Sequence, residues 1–143
     1  MSTIRLNKAQ IIIRKAFEHA ATLGLKPLAV AVLDAGGHLK AYQAQDGTTF
    51  FRPQIAHGKA YGALALGRSS RGIGQMAAER PHFIAALNTL AGGAIVPVPG
   101  GVLVRDKKGN VVGAVGVTGD TSDNDEACAI AGIEAAGFEA DVT

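Results

Sequence analysis

The sequence is poor in the residues that usually announce a chemistry. It holds one cysteine, Cys128, no tryptophan and only 5% aromatic residues. A lone cysteine excludes an internal disulfide and any zinc site built from several thiolates, and it fits a reducing compartment. The charges nearly cancel, 14 basic against 12 acidic residues for a formal net charge of +2, so the basic stripe of an electrostatic nucleic-acid binder is missing. The nearest approach to one, Arg52, Lys59, Arg68 and Arg71, reads as the solvated face of a helix. No apolar run reaches the roughly 18 residues of a membrane helix, and the opening MSTIRLNKAQ lacks the apolar core of a secretion signal. The expectation is a cytoplasmic protein without membrane contact. Four histidines, His19, His38, His57 and His82, show no HxxH, HExxH or HxH spacing, so no preassembled metal motif exists.

What is present is globular. Hydrophobic residues make up 48% and charged residues 18% of 143, enough for one domain over residues 1–143 with a core of its own. Much of the apolar share is Ala and Val, which predicts a closely packed core of small residues. Ala9, Ile13, Ala16, Phe17, Ala20 and Leu23 recur at helical spacing, with Asn7 and Gln10 placed like a cap and its partner. Ile11 and Ile12 extend that apolar surface, as an oligomer contact or a wide core face. LAVAVLD and HLKAYQ, joined by Ala35, Gly36 and Gly37, read as a β-hairpin.

Pro53 suits a first helical turn, and Ala56, Ala60, Ala63 and Gly67 then line a narrow face that lets a helix lie close to its neighbour. Shorter helices follow around Ile73–Glu79 and Pro81–Leu90, then a short extended piece at Ala94–Val96. A second hairpin, Val102–Arg105 with Val111–Val117, turns at Gly109. The last helix starts near Thr121 or Ser122 and ends by Gly137, leaving EADVT as a frayed tail. Strands grouped in hairpins favour an antiparallel sheet covered by helices, an α+β fold.

The glycine-dense stretch from Gly92 to Glu126 is the first place to seek a site. In PVPGG, Pro97 and Pro99 fix φ while Gly100 and Gly101 let backbone amides face a cavity or simply turn into a strand. The acids Asp120, Asp123, Asp125 and Glu126 either complement a helix start or supply ligands and proton-transfer groups. Asp120 and Asp123 are the candidate catalytic acids, in a pocket with Gly100, Gly101, Thr118 and Gly119. GAVGVTGD lacks the Lys-Ser/Thr pair of a P-loop. Among the histidines, His57 shares a helical face with Tyr61 and Leu64 and has Arg52 and Lys59 nearby. His19 lies beside Ile12, Ala16 and Leu23.

Taken together, VAVLDAGGHLKAYQ, IAHGKAYGALALGRSS, PVPGGVLVRD and VVGAVGVTGDTSDNDEACAIAG resemble the GlcG/HbpS family, which includes the C-terminal domain of PduO-type proteins. The match runs from about Ile11 to Gly137. The resemblance implies a profilin-like fold, a central antiparallel sheet in a three-layer α/β/α arrangement, and assembly into homo-oligomers. It also implies, for several members, binding of haem or a related tetrapyrrole, sometimes with haem degradation or redox sensing. Carried onto this chain, the expectation is haem with His57 or His19 as the iron ligand and Arg52 or Lys59 facing the propionates. Two alternatives stay open: an enzyme or accessory factor for a small polar acid, using the PVPGG and GVTGDTSD loops, and an interaction module without turnover.

Overall fold

The structure is a computed structural model and describes residues 2–143. Helix α1 (Leu6–Leu23) leads into the hairpin β1 (Ala29–Asp34) and β2 (Leu39–Ala44). Helices α2 (Arg52–Leu66), α3 (Ser70–Glu79) and α4 (Pro81–Leu90) follow. Then come the hairpin β3 (Gly101–Arg105) and β4 (Val111–Thr118), helix α5 (Ser122–Ala135) and strand β5 (Glu139–Asp141). The strands form one sheet in the order β2-β1-β4-β3-β5, with every pairing antiparallel. Buried β1 is central, as its apolar run on both faces requires.

The strand period of two divides the core. Val30, Val32, Val102, Val104, Val115 and Val117 point to one side, where α1 and α5 cover them. Leu33, Leu103 and Ala114 point to the other, against Ala60 and Ala63 of α2. Ile73, Ile84 and Ile95 join α3, α4 and the following loop in a third cluster. The result is the expected profilin-like α/β/α sandwich.

The structure corrects two local expectations, the α1 cap and the frayed tail, and decides two that the sequence leaves open. Asn7 and Gln10 do not cap α1: the helix starts two residues earlier, Arg5 is its N-cap, and no side chain bonds the end. The entry is fixed instead by the Ile4 amide donating to the Val112 carbonyl at 2.9 Å. Of the two readings left open for Ile11 and Ile12, fully buried Ile12 takes the wide core face. A Cβ on Gly132 of α5 would lie 2.4 Å from the Ile12 carbonyl oxygen, so the two helices cross almost backbone to backbone. Ala94–Val96 is not a strand. It rests on α2, with the Val96 amide reaching the Gly58 carbonyl at 3.4 Å. The tail is not frayed: β5 pairs with the outer edge of β3, Arg105 Nε holds Asp141 Oδ2 at 2.8 Å, and the Ser69 amide donates to the Thr143 carbonyl at 2.9 Å. An open β3 edge is the reason a short polar tail becomes ordered there.

Candidate functional site

Glycines set where α2 lies. Gly101 and Gly116 are partners on neighbouring strands. A Cβ on Gly116 would sit 1.9 Å from the Ala56 carbonyl oxygen, and one on Gly101 would sit 2.2 Å from that of Lys59. Two bare backbone positions thus form the floor on which the Ala56, Ala60, Ala63 face settles. This is the close approach that the small residues of α2 predict.

That approach drives Lys59 into the end of the sheet, where it is 2% exposed. Its Nζ donates to the Val117 carbonyl at 2.9 Å and to Asp125 Oδ2 at 3.2 Å. Asp125, also buried, accepts the Asp120 amide on its other oxygen at 2.9 Å. Burial pushes the Lys59 ammonium below the usual lysine range, against the pull of Asp125. Burial likewise raises the Asp125 carboxyl, opposed by Lys59. Because α2 and α5 lie on opposite faces, this pair clamps the two outer layers around the C-terminal end of β4.

The same packing fills the space expected of a polar-acid pocket. A Cβ on Gly100 would fall 2.7 Å from Lys59 Nζ, and the Gly101 amide donates to Ser70 Oγ at 2.6 Å. Thr118 is 2% exposed and accepts Arg52 Nη1 at 2.8 Å, while Gly119 packs on the Pro27 carbonyl. Asp120 accepts the amides of Lys26 (3.0 Å) and Thr121 (2.9 Å) and the Asn124 side-chain amide (2.7 Å). Those donors, Asn124 foremost, hold its carboxyl down at about 2. Thr121 Oγ1 caps α5 by accepting the Asn124 amide at 3.2 Å. Asp123 is exposed and pairs with Arg71, which also reaches Glu126 at 3.0 Å and so ties α3 to α5.

The histidines separate. His19 is half-buried on α1, on the α1/α5 side of the sheet, whereas His57 is half-buried on α2, on the other side. Within one chain the two lie on opposite faces of the sheet and do not line a common cavity. His57 stacks on Tyr61, ring centroids 5.5 Å apart at 22°, and lines a cavity of about 830 Å³ with Leu39, Phe51, Ile55, Val96 and Val98. This volume falls in the roughly 300–1,000 Å³ range of small-molecule pockets. Its walls are mainly apolar, and His57 is the only titratable side chain lining it. One wall is held by close approach: a Cβ on Gly58 would lie 2.9 Å from the Ala94 carbonyl oxygen.

Sequence reasoning singled out His57 and its α2 neighbours as candidates but missed both the apolar wall beside it and the buried ion pair. Lys59 falls at the same helical spacing as Ala56 and Ala63, a placement that marks it as inward-facing. Among the described residues no group of three or more His, Cys, Asp or Glu side chains could hold a bare metal ion. Nor, among the described residues, is any helix long and apolar enough to cross a membrane.

Comparison with known proteins gives a consistent answer. Among solved structures, the PduOC:heme complex superposes with a TM-score of 0.84 at 21% identity, covering 95% of this chain and 96% of that one. The Klebsiella pneumoniae protein ORFY gives 0.86 at 25% identity over 95% and 92%. A double mutant of Streptomyces reticuli HbpS gives 0.81 at 27% identity over 94% and 87%. No curated protein sequence matches the chain. The family model described as "Haem degrading protein HbpS-like" matches residues 4–134, and the chain therefore belongs to the HbpS-like family.

Proposed function

We propose that this chain is a cytoplasmic, homo-oligomeric haem-binding protein, and that the iron ligand is His57. The observation that carries the reading is one half-buried imidazole on the wall of a mainly apolar cavity of about 830 Å³, with Gln54 the other polar side chain lining it. Two of the three things haem asks for line the cavity, apolar walls against the macrocycle and an axial imidazole; cations for the two carboxylates must reach in from outside that lining. Family membership and the haem complex of a structural relative support the same ligand class.

Haem, when bound, supplies the redox and oxygen chemistry. This chain's residues bind, orient and exclude water. Tyr61, stacked on His57, restrains the imidazole plane. Gly58 keeps the 94–96 wall close to α2. Arg52, at the start of α2 and half-buried, is the propionate partner of choice. Arg52 gives one guanidinium nitrogen to Thr118 and has others left to donate, whereas Lys59 is 2% exposed with its ammonium serving Val117 and Asp125 and is less suited to that task. His19, on the other side of the sheet, is the rival ligand.

The test is a haemin titration followed by absorbance, with wild type, His57→Ala and His19→Ala in parallel. The reading expects a saturable Soret shift that survives in His19→Ala and is lost in His57→Ala. A shift lost only in His19→Ala would move the site to α1, and a response that never saturates would defeat the haem reading. Loss of the Soret band under reductant and oxygen would extend the function to haem degradation. A stable band that interconverts between oxidation states would favour redox sensing.

A further inference from the structure

We infer that the His57 cavity is a half-site, completed when a second copy of this chain seats its Phe50 in the mouth. The inference rests on the reading of that cavity as a ligand site. Phe50 is 95% exposed, so it has no packing partner in its own chain, while the adjacent Phe51 lines the chain's own cavity. An aromatic ring held in full solvent beside an apolar opening is a side chain without its pocket.

The surrounding surface matches this occupant. Between Arg80 and Arg105 the sequence contains no Asp, Glu, Lys or Arg, and this stretch supplies α4 and the cavity wall at Gly92, Gly93, Ala94, Val96 and Val98. On α4, PHFIAALNTL, only Ile84 is buried; Phe83 and Leu90 lie on one side at 38% and 84% exposure. A helix this apolar belongs under a cover. Leu39, Phe50, Phe51 and Val98 extend the same character around the cavity at 57%, 95%, 60% and 39% exposure. These six side chains expose on the order of 600–800 Å², close to the roughly 800 Å² per partner that a standard interface buries.

With no charge from Pro81 to Val104 and Arg80 at the edge lying over the Phe83 ring at 4.0 Å, this surface offers an acidic or basic partner little to recognise. It is complementary to another apolar surface, and its own copy is the one always present at equal concentration. Two-fold pairing lets each Phe50 enter the other's cavity. Each ligand site would then combine His57 of one copy with Phe50 of the other.

The interface and the shared site are tested separately. Sedimentation velocity of the ligand-free protein at micromolar concentration reads the interface, whether or not haem binds. Wild type should be associated, and Phe50→Asp with Leu90→Lys should dissociate while keeping the wild-type far-ultraviolet circular dichroism spectrum, since both positions are exposed in the single chain. A wild-type monomer, or a variant that remains associated, overturns the proposal. Mixing Phe50→Cys protein with Val98→Cys protein under oxidant then reads the shared site without haem. A disulfide-linked heterodimer far in excess of either homodimer supports it, and its absence overturns it. If haemin binds, Phe50→Asp should weaken it by about tenfold or more; unchanged affinity in a dissociated variant would return the whole site to one chain.

Discussion

Replacing Gly116 with alanine adds one methyl group at the point where α2 meets the sheet, and its effect follows from a single distance. The new Cβ would lie 1.9 Å from the Ala56 carbonyl oxygen and 3.1 Å from the Ala60 amide nitrogen. To restore ordinary contact the helix backbone must retreat by about 1.5 Å. No side-chain rotation relieves the clash, because the obstructing atoms are backbone. Overpacking of this kind typically costs 1–3 kcal/mol, and the rigid obstruction puts Gly116→Ala at about 3 kcal/mol, a fall in melting temperature of roughly 10 °C for a chain of this size. The control is Gly109→Ala, in the β3–β4 turn, where φ is +85° and nothing lies within 4 Å of the new methyl. Only left-handed strain applies there, at about 1 kcal/mol. Thermal and denaturant unfolding of the two variants check the comparison. A Gly116→Ala protein as stable as wild type, or no less stable than Gly109→Ala, would refute the claim that bare backbone seats α2.

Three further predictions test the packing around the site. Lys59→Met leaves the Asp125 carboxylate buried without its partner and should cost about 3–5 kcal/mol in denaturant unfolding; adding Asp125→Asn, which keeps an acceptor for the Asp120 amide, should recover part of it, and an additive loss would deny the pairing. Asp120 has a folded carboxyl held near 2 against an ordinary value of 3.8. It is therefore a depressed acid whose contribution is present above the ordinary value and lost as pH falls through the folded one; acid unfolding of Asp120→Asn should show a shallower slope over that window. Cys128 is fully buried, and burial, with Asp125 and Asp120 adding, pushes its thiol up to about 11. Thiol reagents should label it only on unfolding, and rapid labelling of the native protein would contradict its packing.

Much of the architecture was legible because it depends on local pattern. Ala35, Gly36 and Gly37 mark one hairpin and Gly109 the other, and the Ala56, Ala60, Ala63 spacing foretells a close helix. The errors share a cause: they lie where a distant element decides. Ile12 looks surplus until Gly132 of α5 presses against its carbonyl. The tail after Gly137 looks too short to order until β3 offers an edge. Gly100 and Gly101 have the flexibility of a pocket wall, yet the Lys59 side chain occupies the space beside them. Lys59 itself reads as a solvated cation unless its register with Ala56 and Ala63 is taken seriously. The His57 wall was illegible for the same reason, since Leu39, Phe51, Val96 and Val98 come from three separate segments.

The central claim is that one imidazole on α2 holds the ligand. Its most direct test is chemical rescue: haemin added to His57→Ala, with and without free imidazole, followed at the Soret band against wild type. The account predicts a weak, shifted band in the variant that returns to the wild-type position when imidazole fills the vacated space beside Tyr61. A His57→Ala protein whose haemin spectrum already matches wild type without imidazole would contradict it.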